Sequence, residues 1–205
     1  MTRLSVGARL LGLRGEPLLL ASASPRRRGL LGMLGVRHEA CASDVSEGNR
    51  SDLEPPEVYV ERLARQKAEA ARAGTGIYAV LAADTIVVLG REVLEKPVDR
   101  RDAGRLLALL SGRWHEVFTG LCLQRLADGR TVCGHERSRV LFSPLDPATI
   151  EVYLDTEEPL DKAGAYGIQG YGGVLVERVE GCYFNVMGLP LSRLRRLVFK
   201  LEGGS

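Results

Sequence analysis

The chain has 205 residues, of which 45% are apolar and 26% are charged, and its formal net charge is +2. This length suits one α/β domain with a well-developed core, and the near-neutral balance argues against a general nucleic-acid-binding protein. No apolar run is long enough to span a membrane. The four cysteines are widely spaced and form no CxxC pair. They therefore predict reduced thiols, an intracellular protein, and neither a zinc site nor a disulfide framework.

Residues 1–16 precede the first clear structural signal. They contain three arginines and no acidic residue before Glu16, a composition that faintly resembles a mitochondrial presequence. An amphipathic lead-in without a targeting role is the favoured interpretation. We therefore treat residues 1–16 as an N-terminal extension and residues 17–202 as one domain.

The stretch LLLASASPRRRGLL, residues 18–31, predicts a short buried strand, a small-residue turn and a helix. Ser24 is a suitable N-cap, and Pro25 occupies the first helical position. Three arginines, Arg26 to Arg28, then fill the first turn, where the helix dipole disfavours cations. This placement is reasonable if an anion, such as a phosphate, binds at the helix N-terminus. A basic surface turn is the alternative.

A polar loop, residues 43–54, separates this helix from the next one and contains Glu47 as a candidate metal ligand. Pro55-Pro56 begins a helix that we expect to end at about Ala73, with an apolar stripe at helical spacing. Lys67 lies on that stripe. Its side chain either extends past the edge of the core to water or directs its ammonium group into a site.

The apolar run Ala79–Ala83 predicts a strand that is covered on both faces and ends at Asp84-Thr85. Ligands of open α/β sheets bind beyond the carboxyl ends of such strands, which favours a functional role for Asp84 over a loop cap. The following residues predict a hairpin around Gly90-Arg91.

The rest of the chain continues the mixed pattern. We expect a helix over residues 99–110, strands over 114–125 and 131–142, a short helix from Asp146-Pro147, a closing strand at 174–179 and a final helix from Pro190. Residues 161–170 are rich in glycine, which allows tight turns and close approach of backbone to a ligand. The predicted class is α/β.

Several separated segments between residues 18 and 201 form a recognisable set: ASASPRRRGLL, the helix segment around Lys67, AADT, LEKPVD, LSGRWHEVFTG, EPLDKAGAYGIQG and NVMGLPL. Together they resemble the Maf family of nucleotide pyrophosphatases. The resemblance implies an elongated mixed sheet with two lobes around a central cleft, as in the inosine-triphosphatase-like enzymes. It also implies hydrolysis of a nucleoside triphosphate to the monophosphate and pyrophosphate, a divalent cation (Mg²⁺ or Mn²⁺) and a homodimer, with no nucleic-acid or membrane partner and a cytoplasmic location.

The resemblance also implies roles for individual residues. Asp84 is the catalytic group, either as proton acceptor or by positioning water or metal, and Glu47 and Asp84 are the metal ligands. The substrate-binding residues are Ser24, Arg26, Arg27, Lys67, Thr85, Lys96 and Gln169.

Arg26, Thr85 and Gln169 fit the members that act on dTTP and UTP. An amide such as that of Gln169 can donate to and accept from a pyrimidine edge at once, although it could instead satisfy backbone groups of its own loop.

Two departures from the family pattern concern the site. Ser46 replaces an acidic residue expected just before Glu47, and Glu95 replaces the usual glycine before Lys96. These changes leave open an alternative of a different class, in which the chain is a catalytically weak nucleotide-sensing module.

Overall fold

A computed structural model describes residues 4–42 and 54–204, and that part of the chain contains both strands and helices. The strands are β1 (Leu18–Ala21), β2 (His38–Cys41), β3 (Ala79–Leu89), β4 (Glu92–Leu94), β5 (Trp114–Arg125), β6 (Thr131–Phe142) and β7 (Val176–Glu180). The helices are α1 (Val6–Leu11), α2 (Pro25–Met33), α3 (Pro56–Ala70), α4 (Arg100–Leu110), α5 (Pro147–Leu154), α6 (Tyr183–Val186) and α7 (Leu191–Leu201). The α/β class predicted from the sequence is confirmed. Within the described residues, no helix has the length and apolar character needed to cross a membrane.

The strands form a mixed sheet in the order β2-β1-β3-β5-β6-β7, and β4 pairs with β3. β1 runs parallel to β2 and to β3, with Ala21 opposite Ala82. β4 is antiparallel to β3, as the predicted hairpin requires, and β7 is antiparallel to β6. The sheet therefore contains both parallel and antiparallel pairs.

The described chain divides into two compact units. The first contains the residues up to Asp84, Thr119–Glu136 and the residues from Gly188, whereas the second contains Thr85–Phe118 and Arg137–Met187. Strands β3, β5 and β6 each contribute residues to both units.

The core of the first unit packs small and branched side chains of β1, α3 and β3 against one another. Leu19, Ala64, Ala68 and Val80 are buried there in one cluster. Helix α1 packs on α7 and buries Ala8 and Leu11. The described part of the N-terminal stretch is thus integrated into this unit.

The core of the second unit is built on the apolar face of α4. Asp99 caps the helix by accepting from the amide of Asp102, and Leu106, Leu107 and Leu110 are buried against strands such as β6. These positions follow the helical spacing expected from the sequence.

The structure contradicts the prediction of reduced thiols for two of the four cysteines. Cys122 on β5 and Cys133 on the neighbouring β6 form a disulfide, with 4.2 Å between their Cα atoms. Cys41 and Cys182 are free thiols. The expectation of four reduced thiols is wrong for this pair, because neighbouring antiparallel strands bring together residues that are eleven positions apart in the chain.

Candidate active site

The start of α2 is organised by two serines. Ser24 is the N-cap, as predicted, and its hydroxyl accepts from the amide of Arg27 at 3.5 Å, with Pro25 in the first turn. The buried hydroxyl of Ser22 accepts from the amide of Ser24 at 3.2 Å. The turn after β1 is therefore held by its own side chains, which fixes where the helix begins.

The arginines of the first turn differ in their surroundings. Arg27 donates from Nε to the carbonyl of Gly188 at 2.8 Å and from Nη1 to Ser22 at 2.9 Å. Its guanidinium group thus joins α2 to the segment before α7. Arg26 is half-buried and Arg28 is exposed. The geometry gives Arg27 an anchoring role, and contact of Arg26 and Arg27 with an anion stays a prediction.

Helix α3 packs closely on β5 within the first unit. A Cβ atom added to Gly120 would overlap the carbonyl group of Val60, so only glycine permits this approach. Lys67 lies seven residues, about two turns, after Val60 and therefore on the same face of the helix. The packing carries Lys67 inward toward the sheet.

Lys67 and Asp84 form a close ion pair. The ammonium nitrogen lies 2.5 Å from Oδ1 of the carboxylate, and each side chain is only 11% exposed. The interpretation in which Lys67 extends to water is therefore wrong. Two opposite charges held together at such low exposure interact more strongly than a surface pair, but they cost more to desolvate.

The strand that carries Asp84 differs from the prediction. We expected a strand that ends at Asp84-Thr85, but β3 continues without a break from Ala79 to Leu89. The two polar residues Asp84 and Thr85 do not end the strand, because the ammonium group of Lys67 pairs with the Asp84 carboxylate. Asp84 lies between the last parallel pair with β1, at Ala82, and the first antiparallel pair with β4, at Val87.

The register between β1 and β3 places the Ser22–Ser24 turn and Asp84 at the same edge of the β1 pairing. Ala21 is the last residue of β1 and pairs with Ala82, so the Ser22–Ser24 turn and Asp84 both follow directly after this pair. The carboxyl end of the parallel β1 pairing is where ligands of α/β sheets bind. We predicted from the sequence that Asp84 follows the end of β3. It lies within β3 instead, just past the point where the neighbouring strand β1 ends.

The second unit carries Thr85, Lys96 and Gln169. Thr85 is half-buried in β3, and Lys96 is exposed between β4 and α4. The carbonyl of Glu95 accepts from the amide of Gly164 at 3.1 Å, which ties the Lys96 segment to the glycine-rich stretch. Gly164 has φ 68° and lies against Val87 of β3, so glycine is required there for both conformation and space.

Gln169 is exposed, whereas the five residues before it are buried. Its loop is held by two residues that the sequence did not single out, Tyr153 on α5 and Glu158 in the 3₁₀ turn Glu158–Asp161. Glu158 accepts from the backbone amides of Tyr171 and Gly172. The EPLDKAGAYGIQG segment contained the signal, because its glycines indicate close backbone approach, but nothing in it identified the acceptor.

His115 is a packed strand residue. Nε2 lies 2.9 Å from the hydroxyl oxygen of Tyr166, and the ring forms an edge contact with Phe142. Burial lowers the pKa of His115 to about 4, against the opposing effect of a backbone hydrogen bond with Arg113. The imidazole is therefore neutral at pH 7 and serves as a core residue of the second unit.

Two residues, Glu47 and Asp84, are the predicted metal ligands, and the structure describes Asp84. Glu47 and Ser46 lie outside the described residues. Within residues 4–42 and 54–204, no three His, Cys, Asp or Glu side chains gather as a metal cluster. The carboxylate of Asp84 fits a cation such as Mg²⁺, which binds through one or two carboxylates and completes its shell with water and substrate phosphates.

A protein-family model described as Maf-like protein matches residues 17–201. The chain belongs to the Maf family. A dTTP/UTP pyrophosphatase of Acetivibrio thermocellus is 48% identical over 188 residues, which cover 88% of this chain and 93% of the relative. Proteins of the same name from Moorella thermoacetica and Anaeromyxobacter dehalogenans are 49% and 50% identical, over 88% and 90% of this chain and 93% and 95% of the relatives.

Family membership covers both units of the chain. The matched residues include the Ser24–Pro25 helix start, the Lys67–Asp84 pair and the glycine-rich stretch. The resemblance inferred from the sequence is thus confirmed, and it agrees with the α/β class of the Maf fold. The roles of individual residues remain predictions.

Proposed function

We propose that this Maf-family chain is a nucleoside triphosphate pyrophosphatase that hydrolyses dTTP and UTP to the monophosphate and pyrophosphate. The observation that carries the proposal is the buried Lys67–Asp84 ion pair at the carboxyl end of the β1 pairing. The names of the relatives, dTTP/UTP pyrophosphatase, support the substrate class.

The reaction is an in-line attack of water on the α-phosphorus. A bond forms from the water oxygen to that phosphorus, and the bond to the oxygen bridging the α- and β-phosphates breaks, so that pyrophosphate leaves with that oxygen. Catalysis of this kind depends on position and on neutralised charge. The cationic groups of Arg26, Arg27, Lys67 and Lys96 would bind phosphate oxygens.

Asp84 is the group we assign to the attacking water. Its carboxylate would accept the proton of the water or hold the water in line, and the Lys67 ammonium at 2.5 Å holds the carboxylate in one orientation. Lys67 therefore serves two purposes: it balances the charge of Asp84, and it adds positive charge near the phosphates.

A divalent cation is the general cofactor of nucleoside triphosphate pyrophosphatases. We propose Mg²⁺ or Mn²⁺, held by Asp84 and Glu47. When bound, it would neutralise phosphate charge and increase the acidity of a coordinated water. We also propose that the protein is a homodimer and that it is cytoplasmic, as the family resemblance implies.

Base selectivity is assigned to Arg26, Thr85 and Gln169. The exposed amide of Gln169 can donate to and accept from the edge of a uracil or thymine base at once. A site that pairs with such an edge disfavours a base whose donors and acceptors are exchanged, because donors then face donors and acceptors face acceptors.

A substrate panel tests the proposed function. Parental protein would be supplied with dTTP, UTP, CTP and 7-methylguanosine triphosphate, each with Mg²⁺ or Mn²⁺, and pyrophosphate and orthophosphate would be measured separately. The expected result is pyrophosphate from dTTP and UTP. Nucleotide binding with no turnover on any of the four would contradict the proposal and favour the sensing module.

A further inference from the structure

The loop around Gln169 is fixed on both sides although Gln169 itself is exposed. Gly167 and Ile168 before it and Gly172 after it are buried. Two consecutive turns shape the loop: the amide of Gly170 donates to the carbonyl of Gly167, and that of Gly173 donates to the carbonyl of Gly170, each at 3.1 Å. Gln169 therefore projects from a defined backbone.

One carboxylate holds the C-terminal side of this loop. Oε2 of Glu158 accepts from the amide of Tyr171 at 3.0 Å, and Oε1 accepts from the amide of Gly172 at 3.1 Å. Hydrogen bonds to an ionised acceptor are stronger than neutral ones. Both carboxylate oxygens are thus used on backbone groups within three residues of Gln169.

One phenol holds the N-terminal side. The Tyr153 hydroxyl donates to Oε1 of Glu158 at 2.8 Å and accepts from the amide of Gly167 at 3.1 Å. Burial, with the hydrogen bond to Glu158, raises the pKa of Tyr153, so its hydroxyl remains a donor. Tyr153 and Glu158 together join the two sides of Ile168-Gln169-Gly170.

The glycines of the segment are explained by this pair. A Cβ atom on Gly170 would overlap the Glu158 carboxylate, and one on Gly172 would lie 2.6 Å from the Tyr153 hydroxyl. Neither position has an unusual positive φ. The glycines are needed because the backbone approaches Glu158 and Tyr153 too closely for a side chain.

Glu158 is itself held in place. The buried Lys162 donates from its ammonium group to the carbonyl of Glu158 at 2.6 Å and to Asp161 at 2.5 Å. Tyr153 lies on α5, which packs on α4. The loop is therefore anchored to packed helices of the second unit, α4 and α5.

We propose that Glu158 and Tyr153 are positioning residues that fix the Gln169 loop and thereby set the selectivity of the enzyme for uracil and thymine bases. The inference rests on the base contact assigned to Gln169 in the proposed function. It adds that the contact depends on two further side chains, which bind the backbone of the loop and act through it.

The test compares four variants with the parent. Glu158→Gln keeps the shape of the side chain but places an amide NH₂ against backbone donors, and Tyr153→Phe removes only the hydroxyl. Gln169→Ala removes the base contact itself. Glu151→Gln is the matched control, because Glu151 is an exposed carboxylate on α5 that pairs with Arg100 away from the loop.

Two readouts are needed: kcat and KM for dTTP and CTP, and amide hydrogen exchange in the loop. In Glu158→Gln we expect the ratio of kcat/KM for dTTP over CTP to fall about 10-fold, mainly through KM for dTTP, and the amides of Tyr171 and Gly172 to exchange about 10-fold faster. In Tyr153→Phe we expect faster exchange at Gly167 and a smaller fall in the ratio. Glu151→Gln is expected to match the parent in both.

Any one of four results would overturn the inference. Parental exchange at Tyr171 and Gly172 in Glu158→Gln would show that the carboxylate does not hold the loop. Faster exchange with a parental dTTP/CTP ratio, or an equal fall in kcat for both nucleotides, would limit Glu158 to stability. A parental ratio in Gln169→Ala would contradict the base contact in the proposed function and, with it, the selectivity role inferred for Glu158 and Tyr153.

Discussion

Asp84 and Gln169, the two residues with the most specific predicted roles, are held in different ways. Asp84 is buried in a strand, and the ammonium group of Lys67 contacts its carboxylate at 2.5 Å. Gln169 is exposed, and its loop is held through backbone amides that donate to Glu158 and Tyr153. In the first region one side chain supports another; in the second, side chains support the backbone.

Because Asp84 and the Gln169 loop are held differently, we expect mutations in the two regions to have different effects. Removing one member of a buried ion pair leaves a charge that the interior does not tolerate well, so stability and turnover fall together. Loosening a loop around an exposed residue leaves the core intact, so selectivity changes before stability. The predictions below test that separation.

The largest effect on stability is expected in the ion pair. Lys67→Met leaves the Asp84 carboxylate without its ammonium partner at low exposure and should lower the free energy of unfolding by about 3–5 kcal/mol. Adding Asp84→Asn removes the buried charge and should recover part of that loss, as measured by urea unfolding.

Arg65→Met, on the exposed side of α3, is the control and should change the free energy of unfolding by less than about 0.5 kcal/mol. If the double variant is as unstable as Lys67→Met or more so, the two groups are not coupled.

The next effect is a pH dependence of the second unit. The pKa of His115 is about 4 in the folded chain and ordinarily 6.5. Between these values the unfolded chain binds a proton that the folded chain does not, so stability falls as the pH decreases. Between pH 7 and pH 4.5 this contribution should be about 2 kcal/mol.

Replacing His115 tests the assignment. In His115→Phe, the loss of stability between pH 7 and pH 4.5 should be smaller by about 2 kcal/mol than in the parent, as measured by urea unfolding at both pH values. Equal losses in parent and variant would show that another group dominates this pH range.

The smallest effect is expected at Gly170. A methyl group there would overlap the Glu158 carboxylate, so Gly170→Ala should displace the loop, reduce the preference for dTTP over CTP and cost about 1–2 kcal/mol. A Cβ atom added to Gly74 would meet only open space, so the control Gly74→Ala should not destabilise the chain. A parental preference in Gly170→Ala would show that the loop adapts without consequence.

Local signals in the sequence were sufficient for most element boundaries. The strand, Ser24 cap and Pro25 start lie as predicted because a cap and a proline act through adjacent residues. β5 and β6 were also correctly bounded. The end predicted for β3 at Asp84 was wrong, because the residue that allows a charge inside the strand, Lys67, comes from a distant helix.

The remaining features depend on contacts that spacing does not reveal. The Cys122–Cys133 bond follows from the pairing of β5 with β6. Glu158 gave no pattern of its own, since its role appears only when the backbone of Tyr171 and Gly172 folds back onto it. Family resemblance supplied candidate roles for Asp84, but its partner and its burial required the fold.

The most direct measurement is turnover and binding of dTTP by Asp84→Asn. The substitution keeps the size of the side chain and removes its charge, so dTTP binding should remain within a few-fold of the parent, whereas pyrophosphate release should fall at least about 1,000-fold. Turnover at the parental rate would contradict the account, because the buried pair with Lys67 would then have no part in the chemistry.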